Sequence, residues 1–284
     1  KEGAALVAQN AAFHLKNALA DKTGEWQPLV YCWRGGQRSG SFASILDQVG
    51  WRVQLLEGGY RSYRRLVVDT LYHQPLRHRI ILIEGGTGTG KTRLLHHLAE
   101  AGEQILDLEG LANHRGSLFG KQTGGQPSQK MFETRLAEEL AGLDPARLIW
   151  IEAESSKVGA RIIPGALWHA MCRAERIEIK STLSARARFL AQAYRDLTVN
   201  VDRLHHQIDQ LRAFHSAATL ALWHDMAKNS DWEGLAAALV STHYDPRYAK
   251  SAARSELPVK QLVLDDLDDE KLAVVAQELS REFK

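Results

Sequence analysis

The sequence predicts an α/β chain of two successive units, and three observations carry that reading. Short aliphatic runs alternate with longer stretches of helical periodicity. Two of those runs break into glycine-rich loops that open a helix. Pro75 and the polar Arg77-His78-Arg79 mark a boundary between the two loops. With 284 residues, 44% hydrophobic and 25% charged, the chain is long enough to build its cores without a disulfide or metal staple. Lys+Arg 36 against Asp+Glu 34 leaves +2, so bulk charge does not mark a nucleic-acid binder, although a local basic face would suffice. Cys32 and Cys172 are the two cysteines, which excludes a disulfide scaffold and an all-cysteine zinc site and fits a reducing, cytoplasmic compartment. No apolar run approaches the ~20 residues of a membrane span, so no membrane partner is expected. The N-terminus has neither an initiator Met nor a signal-peptide pattern, and the chain is expected to start partway into a longer protein.

In chain order, Ala4 to Leu19 carries apolar residues at helical spacing and predicts a helix. Pro28 to Tyr31 reads as a strand that breaks at Cys32 into Trp33-Arg34-Gly35-Gly36-Gln37-Arg38-Ser39. A helix through Phe42, Ile45, Leu46 and Val49 follows, then a strand over Val53 to Leu56 closed by Gly58-Gly59. After the boundary, Ile80 to Glu84 is a buried strand by composition, and Arg93 to Ala101 a helix with Leu94, Leu95 and Leu98 inward. Further strands are predicted at Gln104 to Leu108, Arg147 to Ile151, Ile177 to Ile179 and Val259 to Leu264, giving a mainly parallel sheet with helices on both faces. Ser184 to about Leu239 is helical throughout and reads as an insertion, and Asp265 to Glu270 as a solvated helix start.

The stronger chemical signal is Gly85-Gly86-Thr87-Gly88-Thr89-Gly90-Lys91-Thr92, a P-loop pattern between a strand and a helix. Its glycines let successive backbone amides face an anion, and the helix adds its positive end. Lys91 is expected to reach terminal phosphate oxygens, and the Thr92 hydroxyl commonly ligates magnesium. The usual second motif, an apolar strand ending in Asp, ends here in Glu152, and no nucleobase-reading signature is visible. The pattern therefore indicates a diphosphate without saying which one.

The second signal is Cys32, at a strand end before a helix, where loop amides together with Arg34 or Arg38 would favour the thiolate. Cys172, beside Trp168, Met171 and Ala174 at helical spacing, is expected in the core. Arg61, Arg64 and Arg65 beside Tyr60 and Tyr63 form a basic-aromatic patch that suits RNA, against the plainer reading of a solvated helix face. Two polar strand-end loops lie where parallel sheets bind ligands. They offer Glu109, His114 and Arg115 in the first and Glu152 and Glu154 in the second as possible substrate contacts. No His or Cys ligand spacing appears, so no metal site is assigned.

The run Tyr31 to Ser39, the segment Val53 to Gly59, Asp107 to Gly120, Ile151-Glu152-Ala153-Glu154-Ser155 and His243-Tyr244-Asp245-Pro246-Arg247-Tyr248 together resemble the bacterial tRNA 2-selenouridine synthase family. The resemblance covers essentially the whole chain. It implies a partial rhodanese-like domain over 1–76, lacking its first strands. A P-loop parallel-sheet domain would follow over 77–284, with a large helical insertion at about 184–250. It further implies that sulfur is replaced by selenium in wobble 2-thiouridine of tRNA. Geranyl diphosphate first alkylates the sulfur, and selenium from selenophosphate then displaces the geranylated sulfur. On that reading the P-loop binds a diphosphate that leaves rather than one that donates a phosphoryl group. Cys32, Arg34 and Arg38 handle selenium, a selenophosphate-producing enzyme supplies it, and no cofactor is firmly required beyond possible Mg2+.

Two other readings fit the residues. Cys32 and Arg38 also stand in a Cys-x5-Arg spacing, which suits a bifunctional cysteine phosphatase and ATP-dependent kinase. A non-catalytic tRNA-binding or chaperone-like ATPase is the third, and it would have no need for a cysteine among arginines.

Overall fold

The computed structural model describes residues 1–252 and 259–283. The chain divides into two compact units, Lys1–His73 and Gln74–Lys284.

The first unit runs α1 (Glu2–Lys16), β1 (Leu29–Val30), α2 (Gln37–Gln48), β2 (Gln54–Leu55) and α3 (Tyr60–Val68), the last extended by a π-turn at Asp69–His73. β1 and β2 pair in parallel, Leu29 opposite Gln54 and Val30 opposite Leu55, and α2 is the crossover that parallel pairing demands. Val30, Leu46 and Trp51 form its buried centre, with Trp26 and Phe42 packed against them. The Trp51 indole satisfies its one donor on the Thr23 carbonyl at 2.8 Å, so the ring is buried without an orphaned N–H.

The second unit continues β3 (Ile80–Gly85), α4 (Lys91–Glu100), β4 (Gln104–Leu106), α5 (Leu108–Ala112), α6 (Gln129–Gly142) and β5 (Ile149–Glu152). A small antiparallel hairpin, β6 (Lys157–Val158) and β7 (Arg161–Ile162), precedes α7 (Gly165–Arg173) and β8 (Glu175–Ser181). The helices α8 (Leu183–Ala193), α9 (Arg195–Thr198), α10 (Val201–Asp209), α11 (Ala217–Lys228), α12 (Trp232–Leu239) and α13 (Asp245–Ala252) follow, and β9 (Val259–Leu264) and α14 (Asp269–Glu282) close the unit. Five strands form one parallel sheet in the order β4-β5-β3-β8-β9. The α/β class and parallel sheet expected from the sequence are thus present.

Alternation decides how this sheet is covered. Ile81, Ile83, Trp150, Ile177 and Ile179 face Leu94, Leu95 and Leu98 of α4 and Leu272, Val275 and Leu279 of α14 in one core. Ile80, Leu82, Ile149 and Ile151 are as deeply buried and point to the opposite face, where α7 packs on β3. At about 1.5–3 kcal/mol for each fully buried aliphatic side chain, this two-sided burial explains why the strands read as continuous apolar runs. The helices between β8 and β9 have a core of their own, including Leu204, Ile208, Leu211, Trp223 and Leu239, and Phe119 from the loop after α5 joins it.

Two expectations need correction. Cys172 is exposed, because α7 turns Leu167 and Met171 inward and leaves the next position facing out. The strand expected over Gln104 to Leu108 stops at Leu106, because the Asp107 carboxylate accepts from the Gly110 amide at 2.7 Å and starts α5.

Candidate functional site

Both glycine-rich loops feed helices that no side chain caps. α2 starts after Gly36 and α4 after Gly90, whose φ of +77° is a left-handed conformation suited to glycine. In contrast, Ser128, Thr182 and Asp268 cap α6, α8 and α14 with their own oxygens. Helix starts without such a cap leave their first amides to an anion.

In the first unit, Cys32 Sγ is ringed by donors. The Gly36 amide approaches at 3.4 Å and the buried Ser39 hydroxyl at 3.2 Å. The same hydroxyl lies 3.0 Å from the Gly36 carbonyl oxygen, and a thiolate is the stronger acceptor for its single proton. These contacts lower the Cys32 pKa to about 6, first through the Ser39 hydroxyl and then through the amides of Gly36 and Arg34. The loop amides expected to favour the thiolate are thus among its donors, that of Arg34 included. The loop is fastened from behind by amides of Tyr60 and Arg61 donating to the carbonyls of Cys32 and Trp33 at 2.9 and 3.2 Å. A Cβ on Gly35, at φ +65°, would stand 2.6 Å from the Gly59 nitrogen, so this position needs glycine. Arg61 and Arg65 are exposed and Arg64 half-buried, while Tyr60 stacks on Trp33 with centroids 4.9 Å apart.

A direct consequence is measurable. Thiolate, not thiol, reacts with iodoacetamide, and an ordinary cysteine titrates near ~8.5. In a Cys172→Ser background, alkylation of Cys32 is expected to reach half its maximal rate near pH 6. Ser39→Ala should move that midpoint upward, and a wild-type midpoint above pH 8 would dismiss the cradle.

In the second unit the P-loop follows β3. Lys91 Nζ donates to the Gly85 and Gly86 carbonyls at 3.0 and 3.5 Å, and the Thr89 hydroxyl to Gly86 at 2.9 Å. A side chain on Gly88 (φ +84°) would meet Leu190 of α8 at 2.8 Å. Arg186, also on α8 and only 9% exposed, donates from Nε to the Thr87 carbonyl at 2.9 Å. Its other two nitrogens hold Asp245 at 3.0 and 2.7 Å, a bidentate pair that fixes the guanidinium plane against the loop. Sequence spacing missed Arg186 because it lies 99 residues beyond Thr87 in a helical stretch; Asp245, within His243 to Tyr248, was the available signal.

The two polar strand-end loops converge on the same helix start. Thr92 Oγ1 donates to Glu152 Oε2 at 3.0 Å and lies 3.4 Å from Glu109 Oε2. Carboxylate oxygens of Glu109, Glu152 and Glu154 lie within 4.8 Å of one another. Burial first, then mutual repulsion among the carboxylates, pushes the pKa values of Glu109 and Glu152 up; burial pushes up that of Glu154. Glu152 is 1% exposed, and its Oε1 has no hydrogen-bond partner among the described residues. Three clustered carboxylates, that of Glu154 half-buried and that of Glu152 buried with one orphaned oxygen, beside a P-loop threonine fit a hard divalent cation such as Mg2+, which takes oxygen ligands. A search for His and Cys spacing does not find this cluster, because Glu109 lies more than 40 residues before Glu152 and Glu154.

His114 is buried beside this cluster, its amide on the Glu109 carbonyl at 3.0 Å, with its pKa lowered by burial and Lys121. Arg115 is engaged elsewhere, 2.9 Å from Asp196 and over the Tyr194 ring. Gly116 (φ +61°) brings its loop against the cluster, where a Cβ would stand 2.8 Å from Glu154 Oε1.

Among the described residues no helix is long and apolar enough to cross a membrane. A family model described as the tRNA 2-selenouridine synthase AAA domain matches residues 78–226. The tRNA 2-selenouridine synthase of Shewanella frigidimarina is 31% identical over 250 residues, covering 77% of this chain and 66% of that protein. That of Aeromonas salmonicida is 37% identical over 185 residues, covering 64% and 49%, and that of Nitrosomonas europaea 34% over 169 residues, covering 58% and 44%. The chain thus spans between 44% and 66% of the length of these relatives.

Proposed function

Because the chain belongs to the tRNA 2-selenouridine synthase family, we propose that it replaces sulfur by selenium in wobble 2-thiouridine of tRNA, by way of an S-geranyl intermediate. The observation that carries this reading is the presence, in one chain of that family, of a thiol activated by a ring of donors and a P-loop backed by buried carboxylates. The thiocarbonyl sulfur attacks C1 of geranyl diphosphate, the C1–O bond breaks, and its electron pair leaves with the diphosphate. Gly86 to Gly90 offer amides to that leaving group, and Lys91 brings a positive charge whose attraction for it grows as the bond breaks. Arg186, held flat by Asp245, keeps the loop in shape through Thr87. Mg2+ held by Thr92 and Glu152, with Glu109 and Glu154 alongside, would neutralise charge on the departing diphosphate.

S-alkylation turns a poor leaving group into a good one: the selenium of selenophosphate attacks C2 of the base, geranyl thiol leaves, and water cleaves the P–Se bond to release phosphate. Cys32, in a rhodanese-like first unit, handles selenophosphate, with Arg34 and Arg38 receiving its charge. Arg61, Arg64 and Arg65 are the proposed phosphate contacts for tRNA. A selenophosphate-producing enzyme would supply the second step.

The test is nucleoside mass spectrometry on 2-thiouridine tRNA incubated with this chain, geranyl diphosphate and selenophosphate. The expected product is 2-selenouridine. S-geranyl-2-thiouridine alone would confine the activity to the P-loop unit. No modified nucleoside, with ATP bound and an aryl phosphate hydrolysed through Cys32, would replace this reading by the phosphatase and kinase.

A further inference from the structure

Two segments that adjoin the carboxylate cluster carry no acid. Residues 110–132 and 155–174 contain no Asp or Glu, although the whole chain has 34 in 284 residues. Hydrogen bonds join the loop after α5 and the β6–β7 hairpin into one platform. Gln126 donates to the Val158 carbonyl at 3.0 Å and accepts from the Ala160 amide at 2.7 Å. Gln129 likewise donates to the Ile162 carbonyl at 2.8 Å and accepts from its amide at 2.9 Å. The hairpin turns at Gly159 (φ +58°), where a Cβ would stand 2.8 Å from the His114 ring, so its tip is pressed onto the loop. Both segments lead to the cluster: Gly116 packs against Glu109 and Glu154, and Ser155 follows Glu154.

The cations of this platform are mostly uncommitted. Arg115 is taken by Asp196. Lys121 and Lys157 are exposed and form no ion pair among the described residues. Arg203 Nη2 donates to the Lys121 carbonyl at 2.6 Å, which brings a second positive head beside Lys121. Arg161 is half-buried, and its enclosed Nε has no partner among the described residues. Buried donors are rarely left unpaired, and like charges gathered without acids repel one another. A polyanion laid across the platform would relieve both costs.

We propose that this platform receives the sugar-phosphate backbone of the tRNA anticodon arm and so guides the wobble base to the carboxylates and the P-loop. The proposal rests on the tRNA reading given above and adds to it a docking surface in the second unit. Contacts to phosphate fix position without reading sequence, and each one releases counterions, so affinity through this surface depends on salt.

The test is fluorescence anisotropy of labelled 2-thiouridine tRNA titrated with the full chain over a range of salt concentrations. It compares wild type, the double variant Lys121→Ala with Lys157→Ala, the single variant Arg161→Ala, and Lys228→Ala on α11 as a control outside the platform. The double variant is expected to bind at least about tenfold more weakly at ~0.1 M salt, and its plot of log affinity against log salt should be shallower by about 1.4–1.8. Arg161→Ala should lower the slope by about 0.7–0.9, the share of one phosphate. Lys228→Ala should bind as wild type, and an unchanged thermal midpoint shows that each variant is folded. A double variant with wild-type affinity and slope, or a Lys228→Ala chain weakened as much, overturns the platform while leaving tRNA binding standing. A wild type that does not bind the tRNA even at low salt removes the tRNA reading, and the platform with it.

Discussion

Lys91→Ala is expected to stop S-geranylation, lowering the rate by about 10²–10³-fold, the usual cost of losing one donor aimed at developing charge. The side chain emerges at the first position of α4, and its ammonium sits against the Gly85 and Gly86 carbonyls. The residues that anchor α4 in the core are Leu94, Leu95 and Leu98, so the substitution removes charge without unpacking the helix. It also removes the cation that offsets the repulsion of Glu109, Glu152 and Glu154, which adds to the loss at the leaving-group side. Nucleoside mass spectrometry with geranyl diphosphate alone is the measurement, and an unchanged pH profile of Cys32 alkylation shows that the first unit is intact. Normal geranylation in this variant would take the P-loop out of the mechanism.

Cys32→Ala should give the opposite pattern. S-geranyl-2-thiouridine is expected to accumulate at the wild-type rate, because the P-loop and its carboxylates lie in the other unit, while 2-selenouridine falls to the detection limit. The magnitude is set by the loss of the reacting sulfur itself rather than of a supporting contact. Ser39→Ala is the graded companion: it keeps the sulfur and removes the largest contribution to its low pKa. Selenation should then be slowed most at pH 6–7 and recover as pH rises, since the thiolate fraction recovers with it. A Cys32→Ala chain that selenates fully would exclude Cys32 from selenium transfer.

The α/β class was legible in the sequence because period-2 burial on both sheet faces leaves unbroken aliphatic runs, as in Ile80 to Ile83, and because helices announce themselves by 3.6-residue spacing. The P-loop was legible for a local reason: its glycines, Lys91 and Thr92 are consecutive and take their geometry from their own backbone. Cys32 was legible as a loop residue, and so were the amides that face it; the Ser39 hydroxyl was not, because it comes within reach of the sulfur only once α2 begins. Cys172 went wrong because a helix has one inward face, and neighbouring apolar residues do not say which position lies on it.

What the sequence determined by itself was the set of local devices: two anion loops, the strands that precede them and the helices that follow. Only the tertiary structure decided what surrounds them. Parallel neighbours β4 and β5 bring Glu109 together with Glu152 and Glu154 from two segments. The helices between β8 and β9 then return Arg186, Leu190 and Asp245 to a loop far earlier in the chain. Contacts of that kind leave no periodicity in the chain, because closing a long loop constrains distance in space and not spacing in sequence.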